Sequence, residues 1–299
     1  MRKASIELVN LTKSYGSSRG IENVSFVVEP GEVLGFLGPN GAGKTTAMRV
    51  LMGLIAKTSG DARVLGFDVS KRDPHMLARI GYLPGTFAAY KNLTGAEYLK
   101  FFSKMRGVDN HRQIHHLAER LDLNLDRHIH DLSKGNRQKV GLIQAFMHTP
   151  DVLILDEPTS GLDPLVQHEF ELMLDEAKDR GAAVLLSSHV LSDVEYLANR
   201  VAIISEGKLV LVDEINNLKK RARRRIEITF PVEVAPEAFR SIPGVTEAHA
   251  IGNRVICSIE GLETDIIRKA AELGAEMMTT HETSLDEIFF SAINEEGHE

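Results

Sequence analysis

Gly38-Pro39-Asn40-Gly41-Ala42-Gly43-Lys44-Thr45-Thr46 stands between the apolar run Val33-Leu34-Gly35-Phe36-Leu37 and the helix-like run Met48-Arg49-Val50-Leu51-Met52. The nine residues fit the pattern G-x-x-x-x-G-K-[ST], and strand, loop, helix is the context that this pattern requires. Three glycines let consecutive backbone N–H groups curl toward one anion, and the following helix adds the positive end of its dipole. Lys44 is then expected on the β- and γ-phosphates of a nucleotide, and the Thr45 hydroxyl on a Mg²⁺ that bridges them.

Working outward, the chain before this loop reads as short alternating strands, Ile6-Glu7-Leu8-Val9 and Val24-Ser25-Phe26-Val27-Val28, with turn chemistry over residues 15–20. Tyr15 offers a ring on which a base can stack, or a half-buried strand tyrosine. Beyond the loop the sequence turns helical at Thr94-Gly95-Ala96-Glu97, which has capping-box form. His111 and His115 are spaced i, i+4, but no further ligand is near them, so a solvated helix face is expected there and at His128-Ile129-His130-Asp131.

Two short apolar runs follow, Val152-Leu153-Ile154-Leu155 and Ala182-Ala183-Val184-Leu185-Leu186. They lack alternation and so read as strands buried on both faces of a parallel sheet, with a helix from about Val166 to Arg180 between them. The first ends in Asp156-Glu157, a pair that suits metal binding through water and activation of an attacking water. The second leads into Ser187-Ser188-His189, where an imidazole is placed to bond a γ-phosphate. Leu132-Ser133-Lys134-Gly135-Asn136 precedes another helix pattern and supplies a hydroxyl, a small residue and a helix N-terminus.

The chain has 299 residues, 43% hydrophobic and 26% charged, which predicts a large domain plus a smaller one. There is no apolar run of membrane-spanning length, and Met1-Arg2-Lys3 leads straight into polar sequence. A single cysteine, Cys257, excludes a disulfide within the chain and any cysteine-pair metal site, which fits a reducing compartment. Net charge is −7 overall, divided as +4 over residues 1–225 and −11 over residues 226–299. The acidic part argues against nucleic acid as a partner. The basic run over residues 218–225 is expected to be a solvated linker. Beyond it the pattern reads β-α-β-β-α-β, with a last helix starting at Ser284.

In this order the motifs resemble the nucleotide-binding subunit of ATP-binding cassette (ABC) transporters, over about residues 4 to 215. Leu132-Ser133-Lys134-Gly135-Asn136 looks like that family's signature sequence, which other phosphate-loop classes lack. The resemblance implies an α/β fold of the P-loop NTPase kind, a RecA-like core with an antiparallel β subdomain and a helical subdomain at about residues 86–150, followed by a small α+β domain. Domains are expected at 1–217 and 226–299.

It further implies ATP and Mg²⁺ as cofactors, with Gly38, Asn40, Gly41, Ala42, Gly43, Lys44, Thr45 and Thr46 around the phosphates and Tyr15 on adenine. Thr45 and Asp156 would serve the metal, Glu157 would be the general base and His189 would sense the γ-phosphate. Ser133, Gly135 and the loop ending at Asp163 would act across a head-to-tail dimer, formed with a second copy or a second cassette subunit. The partner would be an integral membrane permease, and the protein would be cytoplasmic, peripheral to the inner face of the cell membrane. Thr283-Ser284-Leu285-Asp286-Glu287-Ile288-Phe289-Phe290 is similar to the tail of the drug, antibiotic and sodium exporter branch. Gly85 departs from the pattern, because glutamine usually follows the Leu83-Pro84 pair. Solvent or Thr86 would then take its role, or coupling to the permease would differ. Two other readings are a soluble cassette ATPase and a regulatory module that has lost hydrolysis.

Overall fold

The computed structural model describes residues 4–16, 18–87, 89–221, 224–259 and 263–281, and the chain divides into two compact units, residues 1–214 and 215–299. In chain order the first unit runs β1 (Ile6–Tyr15), β2 (Ser18–Val28), β3 (Val33–Leu37), α1 (Lys44–Leu51), β4 (Ser59–Val64), β5 (Phe67–Asp68), α2 (Pro74–Ala78) and β6 (Ile80–Leu83). It continues with α3 (Gly95–Met105), α4 (His111–Arg120), α5 (Lys134–Phe146), β7 (Val152–Asp156), α6 (Pro164–Asp179), β8 (Ala183–Ser188), α7 (Leu191–Leu197), β9 (Arg200–Ser205) and β10 (Lys208–Glu214).

The central sheet has the order β10-β9-β3-β8-β7-β6, parallel except for β10. β3, β7 and β8 are buried at every residue, as their unbroken apolar runs require when both faces of a sheet are covered. A second, antiparallel sheet has the order β2-β1-β4-β5. Its alternating strands give one face to a core shared with α1 and the central sheet, where the Phe26 and Phe36 rings lie 5.4 Å apart. Two edges escape a reading by period. β9 and β10 are joined by Glu206-Gly207, both at positive φ, a two-residue turn whose hand matches the twist of its strands. β6 is only four residues long.

Helices α3, α4 and α5 form the helical part, with α5 against β6, α3 and α4. Thr94 and Glu97 make the reciprocal capping box, at 3.2 Å from the Glu97 N–H to the Thr94 hydroxyl and 2.9 Å from the Thr94 N–H to the Glu97 carboxylate. On α4 the His111 and His115 rings lie 4.4 Å apart. His148, just after α5, has Nε2 3.2 Å from the Ile80 carbonyl and an Nδ1 without a partner among the described residues.

Burial, with Arg106 adding to it, pushes the His148 pKa down to about 4. The unfolded chain therefore takes up a proton that the folded chain refuses. Stability is complete above about pH 6.5, falls as pH drops toward 4 and levels off below, with a loss of about 2 kcal/mol by pH 5. His148→Gln, which keeps a donor for the Ile80 carbonyl, is expected to flatten this part of the profile. Urea melts of both chains at pH 7 and pH 5 measure it, and an equal fall in the two would assign the loss to other groups.

The second unit begins with α8 (Ile215–Arg221), followed by β11 (Arg224–Thr229), α9 (Glu237–Arg240), β12 (Val245–Ile251), β13 (Arg254–Ile259), α10 (Thr264–Glu272) and β14 (Met277–His281). The basic stretch read as a linker is thus mostly the end of a helix and the start of a strand. The antiparallel sheet has the order β12-β13-β11-β14, so the first and last strands of the β-α-β-β-α-β run pair with each other. Ile226, Ile228, Val255, Cys257, Phe230, Phe239, Ile266 and Ala270 make its core. The helix expected from Ser284 and the tail similar to the exporter branch lie outside the described residues.

Candidate nucleotide site

The carboxyl ends of β3, β6, β7 and β8 meet on one edge of the central sheet, the edge where parallel α/β sheets bind ligands. A cavity of about 500 Å³ lies there, lined by Gly20, residues 40–46, Arg49, Gly85, Thr86, Asp156 and Glu157. Gly43 caps the start of α1 with φ at 112°, a backbone that only glycine adopts freely. Gly38 does not line the cavity. Its carbonyl instead accepts a hydrogen bond from Lys44 Nζ at 2.5 Å, and the Pro39 carbonyl accepts another at 3.2 Å.

Lys44 is 6% exposed. Burial lowers its pKa, and the negative charges of Glu157 and Asp156 pull it back up. Its ammonium lies 3.6 Å from Glu157 Oε1. The other Glu157 oxygen is 2.7 Å from His189 Nδ1, so the three residues form one chain, cation to carboxylate to imidazole. Asp156, 1% exposed, accepts from the Thr45 hydroxyl at 2.7 Å and from the Ser187 hydroxyl at 2.6 Å. Thr45 and Asp156, read 111 residues apart as a metal pair, are therefore neighbours, and their hydroxyl and carboxylate oxygens are the donor type that Mg²⁺ takes.

A Cβ at Gly85 would sit 2.9 Å from Asp156 Oδ2 and 3.1 Å from its Cγ, so the backbone here lies against the carboxylate, and a side chain would require that carboxylate to shift. Thr86 lines the same cavity.

The other expected residues lie elsewhere. Tyr15, 45% exposed, ends β1, with the Lys13 ammonium 4.9 Å from the centre of its ring. Ser133 caps α5 by accepting the Asn136 N–H at 3.2 Å, and Asp163 caps α6 by accepting the Val166 N–H at 3.1 Å. A Cβ on Gly135 would meet the Gly161 carbonyl at 2.4 Å, so the start of α5 sits directly on the loop that leads to Asp163. None of Tyr15, Ser133, Gly135 and Asp163 lines the cavity. Sequence reasoning missed Gly20, which lies far from the motif and is brought in by β2. It also missed Arg49, which reads as part of a helix face, and Ser187, which matters through strand pairing.

Comparison with known proteins bears directly on this geometry. Residues 21–160 match the family described as ABC transporter. The chain is 35% identical over 297 residues to the bacitracin transport ATP-binding protein BcrA of Bacillus licheniformis, covering 96% of this chain and 97% of that one. The chain belongs to the ABC transporter family of ATP-binding proteins. A second ABC relative, the lantibiotic transport ATP-binding protein SrtF of Streptococcus pyogenes, is 38% identical over 211 residues, 70% of this chain and 90% of its own. Among solved structures, an ATP-binding subunit of an ABC transporter superposes with a TM-score of 0.68 at 29% identity, over 72% of this chain and 92% of that one.

Proposed function

We propose that the protein is the Mg²⁺-dependent ATPase subunit that drives an export permease for an antibiotic. The observation that carries the catalytic part is the grouping of Lys44, Thr45, Asp156 and Glu157 around one cavity, with His189 bonded to Glu157. Lys44 and the loop N–H groups bind the phosphates, Thr45 and Asp156 hold the metal, and Glu157 takes the proton of the attacking water. The metal supplies charge stabilisation for the transferred phosphoryl group.

Ser133 and Gly135 stand outside the cavity of their own chain, which supports a site completed by the same residues of a second cassette. Export of antibiotics is supported by the relatives whose names carry bacitracin and lantibiotic transport. No helix among the described residues is long and apolar enough to cross a membrane. In this reading a separate permease carries the substrate, and the ATPase docks on it from the cytoplasmic face. Affinity purification of the full chain from detergent-solubilised membranes is the test. The expected result is a co-purifying polytopic membrane protein and ATP hydrolysis that disappears when Mg²⁺ is chelated. Hydrolysis by a chain recovered only from the soluble fraction would favour a cassette ATPase without a permease.

A further inference from the structure

Neighbouring residues of an extended strand point to opposite faces, so Asp156 and Glu157 would diverge if β7 simply continued. They line the same cavity. The change of direction is made by Glu157 itself, whose backbone has φ at 53°, the left-handed region that a non-glycine residue disfavours. Such a conformation persists only where the surroundings hold it.

Two buried side chains do so here. Ser187 is opposite Asp156 in the parallel pairing of β7 with β8 and is 0% exposed. Its hydroxyl accepts the Glu157 N–H at 2.9 Å and donates to Asp156 Oδ1 at 2.6 Å, so one hydroxyl ties the Glu157 backbone to the Asp156 carboxylate. Gln138, 6% exposed, sits on α5 and donates from Nε2 to the Glu157 carbonyl at 3.1 Å and to the Pro158 carbonyl at 3.2 Å.

We propose that Ser187 and Gln138 are positioning residues that clamp the Glu157 backbone, one at its N–H and the other at its C=O, in the left-handed turn that aims the carboxylate at the reacting water. This rests on Glu157 being the base. Gln138 lies on α5, the helix that Ser133 caps, so in the dimer proposed above the helix whose start meets a partner's nucleotide also holds the base of its own site.

The experiment measures kcat and KM for ATP with Mg²⁺ present in the full chain and in Ser187→Ala, Ser187→Thr and Gln138→Met, each also combined with Glu157→Gln. Affinity for a fluorescent ATP analogue and near-UV circular dichroism are read alongside. A displaced base is expected to lower kcat about ten- to a hundredfold in Ser187→Ala and Gln138→Met, with KM and analogue affinity within about twofold. Ser187→Thr, which returns the hydroxyl, recovers most of the rate. On the Glu157→Gln background neither substitution costs more than about threefold, because the group they aim is already gone.

Full turnover in Gln138→Met overturns the clamp and leaves Ser187 acting through Asp156. Proportional losses on the Glu157→Gln background, or analogue affinity falling in step with kcat, overturn it as well. Should one variant fail to fold, the other decides. Near-normal turnover in Glu157→Gln alone is a different failure, that of Glu157 as the base.

Discussion

Glu157→Gln is expected to lower kcat for ATP hydrolysis by about a thousandfold while ATP still binds. The amide matches the carboxylate in size and keeps an oxygen for one neighbour, but it has no basicity with which to take a proton from water. Glu157 bonds both Lys44 and His189, so the substitution also removes the charge between them, and Lys44 becomes freer to follow a phosphate. Binding should therefore hold or tighten. With hydrolysis blocked, ATP-loaded chains should accumulate as dimers. Phosphate release under steady-state conditions gives the first number, and light scattering with and without ATP gives the second. Retention of more than a tenth of the parent rate would take the role of base from Glu157.

Lys44→Met acts on the other half of the reaction. The methionine keeps most of the stem that fills the space beside the Gly38 carbonyl and deletes the ammonium, with its charge and its hydrogen bonds to the Gly38 and Pro39 carbonyls. A charge-assisted hydrogen bond contributes about 1.5–3 kcal/mol, and Lys44 is placed to address two phosphate groups, so affinity for ATP should fall by about two orders of magnitude or more. The fold should survive, because burial already works against the ammonium, as the lowered pKa records. Equilibrium binding of a fluorescent ATP analogue checks the first point and thermal melting the second. Unchanged affinity would mean that the loop N–H groups alone hold the nucleotide.

How much of this was legible beforehand depends on the distance over which each feature is encoded. The phosphate loop, β7 and β8 could be read because each is a contiguous run with one unambiguous physical meaning, an anion cradle or a strand with both faces covered. Caps such as Thr94 depend on residues three apart and were equally plain. The short strand β6 and the pair β9 and β10 were not recovered, although Glu206-Gly207 carried a usable turn signal. The antiparallel strands β1 and β2 were placed but drawn too short, since the region given turn chemistry is in part ladder.

The site divides along the same line. Thr45 and Asp156 were named from their motifs. The hydroxyl of Ser187 became meaningful only through the register that sets it opposite Asp156, and the amide of Gln138 only through the docking of α5. Gly85 is the clearest case. By sequence it is a missing glutamine, whereas in three dimensions it is a stretch of backbone that lies directly against the Asp156 carboxylate.

Cys257, in the middle of β13, is 0% exposed, and burial raises its thiol pKa to about 11. Because the thiolate is the reactive form, this sulfur should ignore maleimides and disulfide reagents as long as the smaller unit stays folded. The chain thus carries a built-in clock for opening of that unit, since alkylation proceeds only when the sheet around Cys257 comes apart. It also offers a background silent to thiol chemistry, on which one engineered cysteine beside the cavity at Lys44 or on the helical part can bear a spectroscopic label without first replacing the native one.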